Sequence, residues 1–152
     1  MKEHPLKIYK ADRKGYINFL IIGAVLLPLV VFLWDADNFI ENPLMLLPLI
    51  APLLMFVWIY FDTVYKLKQD LFIYHSGFLK GKIDVSKITE IIINKTLWSG
   101  IKPALAKDGM IIKFNTYDEI YIAPEDKNTL ISDLLSINPK ICVVDANKIR
   151  TL

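Results

Sequence analysis

The chain has 152 residues, 18 Lys and Arg against 16 Asp and Glu, a net charge of +2, 54% hydrophobic residues and 22% charged residues. That length suits one domain with an appendage, and a charged fraction near the globular norm of about 25% excludes an overall disordered chain. The apolar excess is uneven: residues 16–34 and 42–61 contain no Asp, Glu, Lys, Arg or His, so the other 113 residues hold every charge.

Residues 1–15 carry Lys2, Lys7, Lys10, Arg13 and Lys14 against Glu3 and Asp12, and read as a basic flank. The run that follows, residues 16–34, is long enough as a helix to cover the ~30 Å hydrocarbon core of a bilayer. Tyr16 and Trp34 stand at its ends, where amphipathic rings settle at headgroup level. Residues 42–61 form a second run closing on Trp58, Tyr60 and Phe61. The link between them, residues 35–41, is short and acidic, with Asp35, Asp37 and Glu41. So short a link makes the two runs antiparallel neighbours, a transmembrane hairpin. A soluble core helix keeps a polar face, and neither run has one. A cleaved signal peptide is not expected either: its apolar region is shorter, and here a second apolar run follows at once.

Cations crowd the flanks, including Lys66 and Lys68 after the second run, while the link has none. By the positive-inside rule both termini are expected in the cytoplasm and residues 35–41 outside. Pro43 falls near a helix start, where its missing N–H is harmless. Pro28, Pro48 and Pro52 are each predicted to remove an internal hydrogen bond and kink a helix. Neither run contains an ionisable residue, which argues against a transporter or channel built from the hairpin alone.

From Thr63 the period changes to two. Residues 63–69, 71–75, 78–83, 88–95, 110–114, 119–123 and 141–144 read as strands of a strongly bent antiparallel sheet. Leu130, Ile131, Leu134 and Leu135 then fall on one helical stripe after Glu125 and Asp126, whose charges favour a helix start. Asn138 and Pro139 end it. The predicted fold class is α+β: a two-helix hairpin, then six or seven strands over residues 62–145 closed by one C-terminal helix. Residues 146–152 read as a frayed tail.

Three segments carry a family resemblance: Phe61-Asp-Thr-Val-Tyr-Lys-Leu67, Leu71-Phe-Ile-Tyr-His-Ser-Gly77 and Ile83-Asp-Val-Ser-Lys-Ile-Thr-Glu-Ile91. Together with Ala104-Leu-Ala-Lys-Asp108, Met110-Ile-Ile-Lys-Phe114 and Ile120-Tyr-Ile-Ala-Pro-Glu-Asp126, they resemble the bacterial pleckstrin-homology-like (PH-like) family of small membrane proteins. Ala106 stands where Ser is usual and Gly109 where Arg is common. The likeness covers about residues 61–142. It implies a PH-like antiparallel β-barrel or sandwich capped by a C-terminal α-helix, following one or two membrane spans. It implies no catalytic residue. With the hairpin, it places the protein in the bacterial cell (inner) membrane as a multi-pass protein with a cytoplasmic domain.

Chemistry-bearing constellations are sparse. Cys142 is the single cysteine, expected buried in an apolar run; His4 and His75 are the two histidines, and His75 reads as a strand-end residue. No spacing suits a metal, and Gly77 to Ile83 fails the phosphate-loop pattern. No enzyme activity, cofactor or metal is therefore expected. Residues 62–152 hold 13 cations and 11 acids, too balanced for nucleic acid.

What remains is surface. Lys66 and Lys68 share a strand face, as do Lys80 and Lys82. These four either rest on anionic lipid headgroups or form a solvated face that protects a sheet edge. The long loop of residues 96–109 brings Trp98, Ile101 and Leu105, which either anchor a partner or plug an open end of the barrel. The leading expectation is a non-enzymatic, membrane-anchored interaction module whose partner is the bilayer together with another membrane protein or its own copy. The alternative is an immunity protein protecting against a secreted peptide antibiotic, with Asp35, Asp37 and Glu41 attracting a cationic peptide.

Overall fold

The computed structural model describes residues 6–95, 100–107 and 109–149. The chain opens on a short strand, β1 (Lys7–Lys10), before entering the hairpin. The hairpin comprises α1 (Tyr16–Trp34), a six-residue helix α2 (Ala36–Glu41), a 3-10 turn (Pro43–Leu46) and α3 (Leu47–Asp62). α1, and the 3-10 turn together with α3 (Pro43–Asp62), are long and apolar enough to cross a membrane, and their side chains lie almost wholly outside the core. Ile17 alone of α1 is buried, because it sits where the helix meets the β domain. Pro28 and Pro52 lie inside their helices. Pro48 departs from expectation. It is the second residue of α3, in the first turn, where no intrahelical partner is lost.

The β domain is two four-stranded sheets, in the orders β1-β2-β3-β4 and β7-β6-β5-β8. Its strands are β2 (Val64–Lys68), β3 (Leu71–Ser76), β4 (Leu79–Asp84), β5 (Ile88–Ile93), β6 (Met110–Phe114), β7 (Asp118–Ile122) and β8 (Cys142–Asp145). Every pairing is antiparallel except β5 with β8. The period-2 pattern does the sorting. Tyr65, Leu67, Phe72 and Tyr74 point into the core, while Lys66, Lys68 and Ile73 point away.

α4 (Lys127–Ile137) closes the core with Leu130 and Leu134, both fully buried. Asp126 caps it, accepting from the Thr129 backbone N–H at 3.0 Å and from the Thr129 hydroxyl. At the other end the Asn138 side-chain amide donates to the Val85 and Ile88 carbonyls, pinning the helix to the corner between the sheets. Beyond β8, Ala146–Ile149 form one helical turn, α5, where a frayed tail is expected from the sequence.

β1 is the element that sequence reading misses. Residues 7–10 read as part of a basic flank, yet they pair antiparallel with β2, Lys7 opposite Leu67 and Lys10 opposite Val64. The chain then continues along the second sheet: the Asp12 N–H donates to the Ala123 carbonyl at 2.7 Å, and the Glu125 N–H to the Lys10 carbonyl at 2.9 Å. Tyr9 is buried and hydrogen-bonds Asp133 of α4, which also meets Lys7 Nζ at 2.6 Å. Burial and the Asp133 contact push the Tyr9 phenol well above its ordinary pKa, so it stays a donor. The hairpin is thus an insertion between two paired strands of one sheet.

Candidate functional site

The base of the hairpin is bound into the β domain from both sides. On the α3 side, the Thr63 hydroxyl donates to the Ile59 carbonyl at 2.6 Å and takes a hydrogen bond from Ser76 at 2.8 Å. Asp62 accepts from the Gly77 N–H at 2.9 Å, and His75 Nε2 lies 3.1 Å from the same carboxylate oxygen. Gly77 has φ +57 and lies against Ile59, a position only glycine fills easily. On the α1 side, the Tyr16 hydroxyl donates to the Ala104 carbonyl at 3.1 Å. The Arg13 guanidinium stacks over Tyr60 at 4.8 Å and Phe61 at 5.8 Å, joining the two helix ends.

Directly beyond this base, the outer face of β2, β3 and β4 forms a groove of about 350 Å³. Register sets its walls. Val64, His75 and Lys80 stand in one cross-strand row, and Lys66, Ile73 and Lys82 in the next. Val64 and Ile73 give an apolar floor, and the three lysines and His75 a polar rim. Tyr74 passes beneath, lying across Gly81, where any Cβ would collide with its ring. Burial raises the Tyr74 phenol above its ordinary value. At the hairpin end, Phe78 of the β3–β4 turn meets Trp58 of α3 edge to face, 4.9 Å between centroids.

Three of the four lysines singled out in the sequence therefore converge. Lys68 does not: it pairs with Leu71, which pairs in turn with Asp84, one row farther from the hairpin. Asp84 is itself held by Ser86, whose hydroxyl and N–H donate to it and lower its pKa.

The loop residues separate. Leu105 is 2% exposed and belongs to the main core, so it fills the barrel and offers nothing to a partner. Ile101 is 45% exposed while its carbonyl accepts from the Tyr121 N–H. Trp98 lies outside the described residues. Ala104 and Ala106 are buried, and the Tyr121 hydroxyl donates to the Lys107 carbonyl and accepts from the Gly109 N–H at 2.8 Å. Within the described part of this segment Ala104, Leu105 and Ala106 pack inward, while Ile101 stays at the surface.

Asp35, Asp37 and Glu41 are exposed at the far end of the hairpin, Asp35 bound to the Asn38 amide at 2.7 Å. Cys142 is exposed, which corrects the expectation of a buried thiol: β8 is an edge strand, and only its β5 side is covered. Sequence reasoning did not join His75 and Asp62 to the lysines. The available signal was the one-residue offset that puts His75, Lys80 and Lys82 on the same face across a Ser76-Gly77 turn.

A profile described as "Bacterial PH domain" matches residues 63–138, half of the chain. The chain belongs to the bacterial PH domain family. The match runs from the first residue after α3 to the cap of α4, so the PH domain's groove lies wholly within it, while β1 lies outside. No curated protein and no solved structure matches the chain.

Proposed function

We propose that this protein is a membrane-anchored, non-enzymatic PH-domain module at the cytoplasmic face of the bacterial cell membrane, binding another membrane protein or a second copy of itself. The observation that carries this reading is the insertion of the hairpin between β1 and β2. Two apolar helices without a polar face need lipid around them, since each square ångström of apolar surface left in water costs about 25 cal/mol. Their shared base is built into the domain, which fixes the PH domain's orientation to the bilayer. A module so mounted meets neighbours in the same membrane at high effective concentration, and weak contacts suffice. The groove's lining supports binding over catalysis: among the described residues it offers lysines, a tyrosine, a histidine 3.1 Å from Asp62 and apolar side chains, with no Ser, Thr or Cys nucleophile.

Cys142 supplies the test, being the chain's single thiol and exposed on β8. A membrane-impermeant maleimide is expected to label it only after cells are permeabilised. Labelling in intact cells would place the PH domain outside and sink the cytoplasmic reading. Crosslinking in native membranes tests the partner: an adduct pattern identical in wild type and Ile101→Ala removes residues 100–107 as the contact.

A further inference from the structure

We propose that the cleft between β1 and α4 binds an extended, Lys- or Arg-bearing segment from the cytoplasmic juxtamembrane flank of another membrane protein, which adds to β1 as a further strand. This deepens the reading above by naming the partner surface, and it rests on that reading for the membrane neighbour. β1 lies outside the residues that the family profile matches, so one wall of the cleft is built by residues the profile does not cover.

The cleft follows from where the chain turns into α4. Residues 10–12 pair with 123–125: the Glu125 N–H donates to the Lys10 carbonyl and the Asp12 N–H to the Ala123 carbonyl, about the Ala11–Pro124 bridge. In an antiparallel ladder alternate residues turn their backbone groups to the same side. Ile8 therefore faces away from β2, as Lys10 and Asp12 do. A strand continuing past Glu125 would meet Ile8 with residue 127, but that residue is the first of α4. The Ile8 N–H and C=O and the Lys10 N–H are left without a hydrogen-bond partner among the described residues. Beside them lies a concavity of about 470 Å³, walled on the α4 side by Asp126, Thr129 and Asp133. An incoming strand fills it and satisfies these backbone groups.

Alternation sets the partner's chemistry. Ile8 is 58% exposed and faces outward, whereas Lys7 and Tyr9 point toward α4 and meet Asp133. The partner residue opposite Ile8 lies beside an apolar side chain on the outer face, and the residues on either side of it point at Asp126, Thr129 and Asp133. The cleft holds three carboxylates, Glu125, Asp126 and Asp133, against Lys7 and Lys10. Lys7 is matched by Asp133 at 2.6 Å, while Glu125 forms no ion pair among the described residues. The excess is acidic, and the pattern that fits is basic–apolar–basic. Cytoplasmic flanks of membrane spans are rich in Lys and Arg. Ile8 stands eight residues before α1 begins, at most about 26 Å at roughly 3.3 Å per residue. A flank of similar length leaving the same membrane reaches it.

The test uses the full-length chain in phosphatidylcholine nanodiscs, with fluorescence anisotropy reading three labelled hexapeptides. These are alternating Lys and Leu, alternating Glu and Leu, and the Lys–Leu sequence with its backbone N-methylated. Wild type is expected to bind the Lys–Leu peptide at least about tenfold more tightly than either of the others. Ile8→Pro removes an N–H that β2 does not use, so the fold should hold while affinity falls about fivefold. Glu125→Lys should weaken binding by a similar factor, and Lys82→Gln, outside the cleft, should leave it unchanged. Equal affinity for the Lys–Leu peptide and its N-methylated form overturns strand addition without recourse to any variant. Equal affinity for the Lys–Leu and Glu–Leu peptides overturns the acidic selection. Unchanged binding when Ile8→Pro and Glu125→Lys are combined overturns the site. A dimer of the full chain that Ile8→Pro dissociates gives the cleft to a second copy and overturns the partner. The maleimide test keeps the two proposals apart: Cys142 shielded in intact cells with no peptide binding removes the cleft alone, whereas Cys142 labelled in intact cells removes the cytoplasmic reading and with it the juxtamembrane source.

Discussion

The two ends of the hairpin are built from similar residue types and held in opposite ways. At the tip, α2 and the 3-10 turn pack on each other and on the long helices, and Leu44, Ile40 and Trp34 are exposed. At the base, Ile17 is buried, Ile21, Phe56, Ile59 and Tyr60 pack on the domain core, and hydrogen bonds run to Ala104 and to the Ser76–Gly77 turn. The tip depends on its surroundings for stability, whereas the base depends on the PH domain. A change of one residue type should therefore have a large effect at one end and a small one at the other.

Leucine truncation gives the widest contrast. Leu105→Ala, beside the base, is expected to lower stability by about 2–5 kcal/mol, through lost burial and the cavity left behind. Leu44→Ala at the exposed tip should change it by less than about 0.5 kcal/mol. Thermal unfolding of the full chain in detergent reads both, and equal losses would break the contrast. Adding a methyl group sharpens it. A Cβ at Gly15 would lie 2.8 Å from the Leu105 carbonyl oxygen and 2.9 Å from the Ala106 Cα, whereas one at Gly23 meets nothing within 4 Å. Gly15→Ala should cost roughly 1–3 kcal/mol, because backbone must move. Gly23→Ala should be neutral or slightly stabilising, by up to about 1 kcal/mol from helix propensity.

The smallest effect lies within the domain and leaves the hairpin out. The hydrogen bonds from Thr129 hold the Asp126 carboxyl below the ordinary carboxylate value. A carboxyl lowered in the folded state adds stability above its unfolded pKa of about 3.9 and loses it as pH falls through the folded value. Wild type should therefore lose thermal stability below about pH 4 more steeply than Asp126→Asn, which keeps a capping oxygen without the charge. Parallel acid limbs in the two proteins would remove this contribution.

Much of the architecture is readable from residue order because charge and period mark it directly. An uncharged run of about a bilayer core's length and a strict alternation such as Tyr65-Lys66-Leu67-Lys68 each point to one element type, helix and strand. β1 was hidden for a physical reason. Lys7-Ile8-Tyr9-Lys10 buries its tyrosine and exposes its isoleucine, so hydrophobicity does not say which face is inside. Its partner is also separated from it by the whole hairpin, beyond any local pattern. Lys66, Lys80 and Lys82 were visible as candidates, but their convergence with His75 depends on strand register. Leu105 was visible as an apolar loop residue, and only three-dimensional packing assigns it to the core.

The pairing of β1 with β2 also constrains how the molecule is made. β1 leaves the ribosome first and must wait through the 53 residues from 11 to 63 before its partner exists. If those residues cross the bilayer and return, the two strands meet only when both flanks end on the same side. A chain threaded with a single crossing leaves β1 stranded across the membrane, Tyr9 without its core and Asp133 without its tyrosine. For a chain that spans the bilayer, completion of the sheet would thus act as a check on insertion: a hairpin threaded twice closes the domain, and one threaded once leaves an open edge on β2.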